Sequence, residues 1–222
     1  MRPLVRDLTI FTIAAASGLF AAGGILHALH SPLRGLPYHD DFANGDASGW
    51  AAYDGNWTIQ SGVMVNESNE RGAKLTTGSP NWTDYAMDAD IALSNTGEAG
   101  IIARVSDAEE GVDSYSGIYA GLRVRDESMV VGVANHAWNE LATAPLPQPI
   151  IPNVWYHIHL EIRGCHLKAL SWQDGQKQNV VRRDVMLVPC PQRGKIGLRS
   201  YDSGGQWKNI RVTQLAKQTG AL

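Results

Sequence analysis

Cysteine is scarce in this 222-residue chain, with only Cys165 and Cys190 present. Two thiols exclude a disulfide-stapled scaffold and are too few to build a zinc site of their own. They leave two readings open: one bridge formed in an oxidising compartment, or two unpaired thiols. An excess of basic charge is also missing. Nineteen Lys and Arg against 22 Asp and Glu give a formal net charge of −3. Nucleic acid therefore has no electrostatic footprint here and is not expected as a partner. Beyond Pro37 no stretch sustains helical periodicity, which excludes a helix-rich domain. No Ser-His-Asp arrangement, phosphate-binding glycine loop or cysteine-nucleophile setting stands out. No cofactor is expected, and a structural calcium ion is not indicated.

What the chain does have begins with Leu8 to Leu26, nineteen residues without a charge. As a helix this run is about 28 Å long, close to the thickness of a hydrocarbon core. Arg2 and Arg6 precede it and the next basic residue is Arg34, so positive charge stays on the cytoplasmic side and the remainder is sent outward. Ala14, Gly18 and Ala22 recur every four residues, with Ser17 and Ala21 beside them; such a small-residue stripe lets another membrane helix approach closely. "FAAGG" around Ala22 also suits a leader cleavage site, so the sequence leaves cleavage open. The expectation is an uncleaved signal-anchor over residues 1–29, a Pro- and Gly-containing linker over 30–39, a domain over 40–215 and a tail over 216–222.

The domain reads as short strands separated by Gly, Asn, Asp and Pro. "NWTIQSGVMVNES" gives a strand, a Ser61-Gly62 turn and a second strand. "YAMDADIAL" alternates over Met87, Ala89, Ile91 and Leu93. "GIIARVS", "GIYAGLRVR", "SMVVGVAN", "WYHIHLEIRG", "HLKALSWQ", "NVVRRDVML", "KIGLRSY" and "KNIRVTQL" follow, and Asp174-Gly175 is a hairpin signal. Period-two patterning at this spacing predicts an all-β sandwich or barrel. "WYHIHLEIRG" puts His157, His159 and Glu161 on one strand face and Ile158, Leu160 and Ile162 on the other. A His-x-His pair can chelate a metal, but no third ligand is identifiable and no metal is expected. Three Asn-x-Ser/Thr sequons, at Asn56, Asn66 and Asn81, matter only in a eukaryotic secretory pathway, and the leader looks bacterial.

The marks Phe42, Trp50, Gly55, Trp57 and Gly62 in "DDFANGDASGWAAYDGNWTIQSGVM" resemble the opening of concanavalin A-like lectin/glucanase domains. The likeness is strongest to the 3-keto-disaccharide hydrolase or family-16-glycosidase-like branch. It continues through Trp82, Tyr85 and Asp90, Arg104, Tyr119, Trp155, Gly164, Asp174, Gly175, Gly197 and Asn209, over roughly residues 40 to 215. The resemblance implies a jelly roll of two antiparallel sheets, one of them concave and able to hold a glycan. Glycosidases of this fold carry Glu-x-Asp-x-x-Glu on one strand, which sets two carboxylates about 5.5 Å apart. That motif is absent, and the acids of "SDAEEGVD" (Ser106 to Asp113) read as a solvated loop.

Sugar binding without hydrolysis needs exposed rings plus Arg, Asn or Glu to fix hydroxyls. Arg104, Tyr119, Arg123, Trp138 and Glu140 are the candidates for a glycan face. "APLPQPIIPN" (Ala144 to Asn153) reads either as a stiff surface able to dock another protein or as a simple connection. Three function classes follow, the last of them a free secreted lectin-like protein, which requires cleavage of the leader. The first is a non-catalytic accessory subunit of a larger membrane complex, of respiratory or photosynthetic type, in a bacterial inner membrane. It would be single-pass, with a cytoplasmic N-terminus and a periplasmic sandwich, and its partners would be the membrane and other membrane subunits. The second is a tethered carbohydrate-binding or sugar-hydrolysing domain, with a glycan as partner.

Overall fold

The computed structural model describes residues 35–94 and 96–216. The expected anchor, with Ala14, Ser17, Gly18, Ala21 and Ala22, lies outside them. Among the described residues no helix is long and apolar enough to cross a membrane. They form strands β1 (Tyr38–Asp40), β2 (Ala51–Tyr53), β3 (Trp57–Gln60), β4 (Val63–Asn66), β5 (Arg71–Thr77), β6 (Tyr85–Leu93), β7 (Glu98–Ser106) and β8 (Ser116–Arg123). Then come β9 (Ser128–Asn135), β10 (Trp138–Pro145), β11 (Tyr156–Arg163), β12 (His166–Gln173), β13 (Val181–Met186), β14 (Lys195–Tyr201) and β15 (Gly205–Gln214).

Two antiparallel sheets result. One runs β13-β12-β11-β6-β15-β4-β3, with β1 added along β15; the other runs β10-β9-β8-β7-β14-β5-β2. The alternation read from the sequence places the core. Met87, Ala89, Ile91 and Leu93 are fully buried between the sheets, together with Ile158, Leu160 and Ile162 from β11 and Ile118, Ala120 and Leu122 from β8. Each Met, Ile or Leu side chain among them contributes about 1.5–3 kcal/mol on burial. Trp207 fills the centre: it packs at 5.2 Å against Trp57, and its indole N–H donates to Gly100 O across the sandwich at 3.0 Å.

The turns follow local chemistry, and both expected hairpins form. Ser61 and Gly62 both take positive φ (51° and 76°), the primed geometry that a tight β3–β4 hairpin requires. Asp174-Gly175 does not close a two-residue hairpin, because a 3-10 turn at Lys177–Asn179 lengthens the β12–β13 connection. The two-residue turn falls at Gly164-Cys165 between β11 and β12, with Gly164 at φ 52°. Cys165 and Cys190 form a disulfide, so the bridged alternative is the one adopted. It ties that turn to the segment ahead of β14.

Arg104 belongs to this framework and not to a glycan face. A bulge between β7 and β14 carries it at φ 48°, and the side chain is 1% exposed. Its guanidinium donates to Thr83 O, Gly164 O, Pro191 O and Asp84 Oδ1 at 2.6–2.9 Å, and its backbone N–H donates to the Tyr85 hydroxyl. One buried cation thus fastens three loops at one end of the sandwich. Arg104→Ala strands three carbonyls, at a cost of about 3 kcal/mol, which for a domain of this size is a Tm loss on the order of 10 °C. Thermal melting followed by circular dichroism checks this; an unchanged Tm removes Arg104 from the framework.

The outer face of the larger sheet carries an ordered charge ladder. Lys208, Asp90, His157 and Trp172 stand in register across four strands, and Asp88, His159 and Leu170 form the next row. Asp88 Oδ1 lies 3.0 Å from His157 Nε2 and 2.8 Å from His159 Nδ1; Asp90 Oδ1 is 2.8 Å from His157 Nδ1. Glu161, itself bonded to Lys168, faces His159 Nε2 at 3.4 Å. Every imidazole nitrogen meets a carboxylate, which suits two imidazolium ions. Burial pulls His157 downward, but its bonds to Asp88 and Asp90 carry it up to about 9. Asp88 holds His159 above its ordinary value. Burial pushes Asp88 upward, and the two histidines outweigh it, leaving the carboxyl far below the usual range. The histidine contribution is complete below about pH 6.5 and is lost as pH rises through the folded values; the aspartate contribution is lost as pH falls below about 4. Stability should therefore peak between about pH 4 and 6.5 and decline toward pH 9, as a Tm series would show, and the double variant His157→Gln/His159→Gln should flatten the alkaline limb. A wild-type curve flat from pH 6 to 9 contradicts the ladder.

Candidate functional site

The seven-stranded sheet has a different outer face. Alternation leaves one row as Gly132, Tyr119, Ile102, Gly197 and Thr76, and the next as Val130, Gly121, Gly100, Arg199 and Lys74. Glycines at these outward positions make room for rings to lie along the sheet. A Cβ at Gly121 would stand 2.0 Å from the Tyr119 hydroxyl, and one at Gly132 would stand 2.4 Å from the Trp138 ring. Tyr119 and Trp138 meet edge to face at 5.7 Å. With Ile102, Val105, Tyr115, Val130 and Ala134 they form a second apolar cluster, outside the main core.

Two cations stand on this face. Arg199 is 3% exposed and lies 5.0 Å over the Tyr119 ring, 5.5 Å over that of Tyr201 and 5.9 Å over that of Trp138. Its Nη2 donates to Asp113 Oδ1 at 2.6 Å. Lys74 is fully buried; its ammonium donates to Gly72 O and Gly111 O, and burial draws its pKa below the ordinary lysine value. Asp113 and Gly111 belong to the β7–β8 loop, which folds over this face and is also held through Gly111 N–H to Asp54 Oδ2. The reading of "SDAEEGVD" as wholly solvated is corrected accordingly: Glu109 and Glu110 are exposed, whereas Asp113 is buried because Arg199 requires a counter-ion.

Not every polar group here is satisfied. Arg199 Nε, Tyr115 Oη and Tyr119 Oη are buried without a hydrogen-bond partner among the described residues. Burial pushes Tyr115 up to about 12 and Tyr119 well above its ordinary value, so both hydroxyls keep their protons. Orphaned polar atoms of this kind are rare in folded proteins and call for an explanation.

One row further along, the face opens. Gly97, Glu98, Arg123, Arg125, Tyr201 and Asp202 line a pocket of about 330 Å³, at the small end of the range for small-molecule sites. Arg123 donates from Nε and Nη2 to Asp126 and from Nη1 to Glu140 at 2.6 Å, while Glu98 Oε1 lies 3.7 Å from that same Nη1. Burial raises the Glu98 carboxyl above its ordinary value, and Arg199 and Arg123 hold the rise in check.

Of the residues singled out in the sequence, Tyr119, Arg123, Trp138 and Glu140 come together on this face, and Arg104 does not. Sequence reasoning missed Arg199, Tyr115, Glu98, Tyr201 and Asp113. Arg199 was within reach: with Ile196 and Leu198 turned inward, "KIGLRSY" sends Gly197, Arg199 and Tyr201 outward. On the opposite sheet His157, His159 and Glu161 do share one face, but their nitrogens and oxygens are taken up by ion pairs. Among the described residues no group of three His, Cys, Asp or Glu side chains is placed to hold a metal ion.

Comparison with solved structures places the fold among concanavalin A-like sandwiches. The carbohydrate-binding module CBM66 from Bacillus subtilis aligns with a TM-score of 0.60 at 19% identity, over 75% of this chain and 96% of the module. The exoplasmic/lumenal domain of VIP36, in a form bound to Ca²⁺ and Man3GlcNAc, aligns at 0.59 and 16%, over 79% and 87%. A β-glucanase from Bacillus licheniformis aligns at 0.58 and 13%, over 82% and 99%. At these identities the likeness bears on fold alone. No curated protein matches the chain. Residues 39–213 match the 3-keto-α-glucoside-1,2-lyase-like domain, and the chain belongs to that family.

Proposed function

We propose that this protein is a saccharide-recognising sandwich that binds through the outer face of its seven-stranded sheet, without hydrolysing what it holds. The observation that carries the reading is the set of buried, unpartnered donors beside an open pocket: Arg199 Nε and the Tyr115 and Tyr119 hydroxyls. Hydroxyl-rich ligands satisfy such groups, and a site built to hydrogen-bond them rejects analogues that lack them. Binding is favoured over hydrolysis because Glu98 and Glu140 both approach Arg123 Nη1. A cation between two carboxylates neutralises the charge that a nucleophile and an acid would need.

The module sits, in this proposal, on the periplasmic side of a bacterial inner membrane, tethered by residues 1–29. The uncharged run from Leu8 to Leu26 supports the tether, and the Cys165–Cys190 bridge fits an oxidising compartment. A second reading, the accessory subunit of a membrane complex, draws on that same run with its Ala14-Gly18-Ala22 stripe. The lid formed by the 107–114 loop also favours it, since a covered face suits a structural part.

Calorimetric titration of the full-length chain with a panel of neutral and acidic oligosaccharides should detect binding. Tyr201→Ala and Trp138→Ala, checked for folding by thermal melting, should weaken it about tenfold, the worth of one good contact. Silence across the panel removes the reading in favour of the subunit. For the tether, the chain should stay in the membrane fraction after an alkaline wash; a soluble product starting beyond Ala22 excludes it.

A further inference from the structure

Arg199 is only half engaged. Asp113 takes Nη2 through a single oxygen, while the neighbouring Nε, on the edge that a carboxylate grips with two oxygens, has no partner. The Tyr119 ring lies beneath this guanidinium, and Gly100 and Gly121 stand between their positions without side chains. Around the group stand the cations Lys74, Arg123 and Arg71 and the acids Glu98, Asp113 and Asp54, so Arg199 has one direct counter-ion, and that counter-ion sits on a loop. The loop itself is held at Gly111 from both sides, by Lys74 and Asp54.

Resting on the saccharide reading, we infer that this face is built for the carboxylate of an acidic sugar, with Asp113 occupying on Arg199 the place that the sugar's carboxylate takes. Exchange is isoelectric: one carboxylate leaves the guanidinium and another arrives, so no buried cation is left bare. The incoming group gains what Asp113 does not provide, a second oxygen on Nε and hydrogen bonds from the Tyr115 and Tyr119 hydroxyls. Glu98 is already faced by Arg123 Nη1 at 3.7 Å, which offsets its charge toward an incoming anion. Neutral saccharides reach the same pocket but leave Arg199 to Asp113.

The test compares methyl β-D-glucuronide with methyl β-D-glucoside on the full-length chain by calorimetry. Wild type should prefer the glucuronide by about tenfold. Asp113→Asn, checked for folding by thermal melting, should raise the glucuronide-to-glucoside affinity ratio several-fold, about one charge-assisted contact's worth. Arg199→Met should erase the preference; should that variant fail to fold, Tyr119→Phe, which deletes one hydroxyl, should reduce it instead. Equal affinity for both sugars overturns the acidic-sugar inference while the saccharide reading stands. Loss of glucuronide affinity in Asp113→Asn also overturns it, by making Asp113 part of the site and not its occupant. Absence of binding by wild type and Asp113→Asn alike sinks both.

Discussion

Two cations buried on the outside of a β-sheet set the terms for one half of this molecule. Taking Arg199 and Lys74 out of water costs several kcal/mol each unless carbonyls and carboxylates replace the lost hydration. The β7–β8 loop supplies them, with Asp113 for Arg199 and Gly111 O for Lys74. That loop therefore cannot be an ordinary surface connection. Its fold over the sheet closes an apolar cluster around Tyr115, Tyr119 and Ile102, and the closure in turn hides the hydroxyls that end without partners. The glycines at 121 and 132 make this geometry possible, because side chains there would displace the rings of Tyr119 and Trp138, while side chains at Gly100 and Gly197 would run into the neighbouring strands' backbone.

The opposite sheet solves the problem of an outer face in another way. Its outward side chains stay part-exposed and pair by register, acid against imidazole against ring, row after row. Among the described residues no hydrogen-bonding group of the ladder is orphaned, so the arrangement contributes stability over a bounded pH range. Asymmetry between the two outer faces is the main reason to place recognition on the smaller sheet. A buried polar group lacking a partner is a cost that persists until something binds, whereas a saturated ladder carries none.

Much of this was legible in the residues. Period-two alternation in "YAMDADIAL" and "WYHIHLEIRG" assigned both the inward and outward sides correctly, because a half-buried strand has only two faces to offer. Ser61-Gly62 declared its turn through the need for positive φ. Asp174-Gly175 likewise marked the β12–β13 hairpin, though turn chemistry reports a local bend and not how many residues precede the next strand. Arg104 misled. Outward alternation would have put it on the face with Tyr119, but the bulge after Ala103 rotates it toward the loop ends, and a one-residue insertion leaves no mark in the pattern. Arg199 and Asp113 come together from positions 86 residues apart, and no local signal records such a meeting.

Exposure separates the rings that the aromatic rule for sugar sites singles out. Trp138 and Tyr201 retain partly open rings, as stacking requires, but Tyr119 is fully buried and acts through its hydroxyl and through the cation above it. A ring sealed beneath a guanidinium cannot stack on a pyranose. It can fix where the charge lies: Arg199 is held against the ring, with Nη2 on Asp113 and Nε without a partner among the described residues. The rings therefore hold the arginine in place, and the pocket opens one row away, between Arg123, Glu98 and Tyr201.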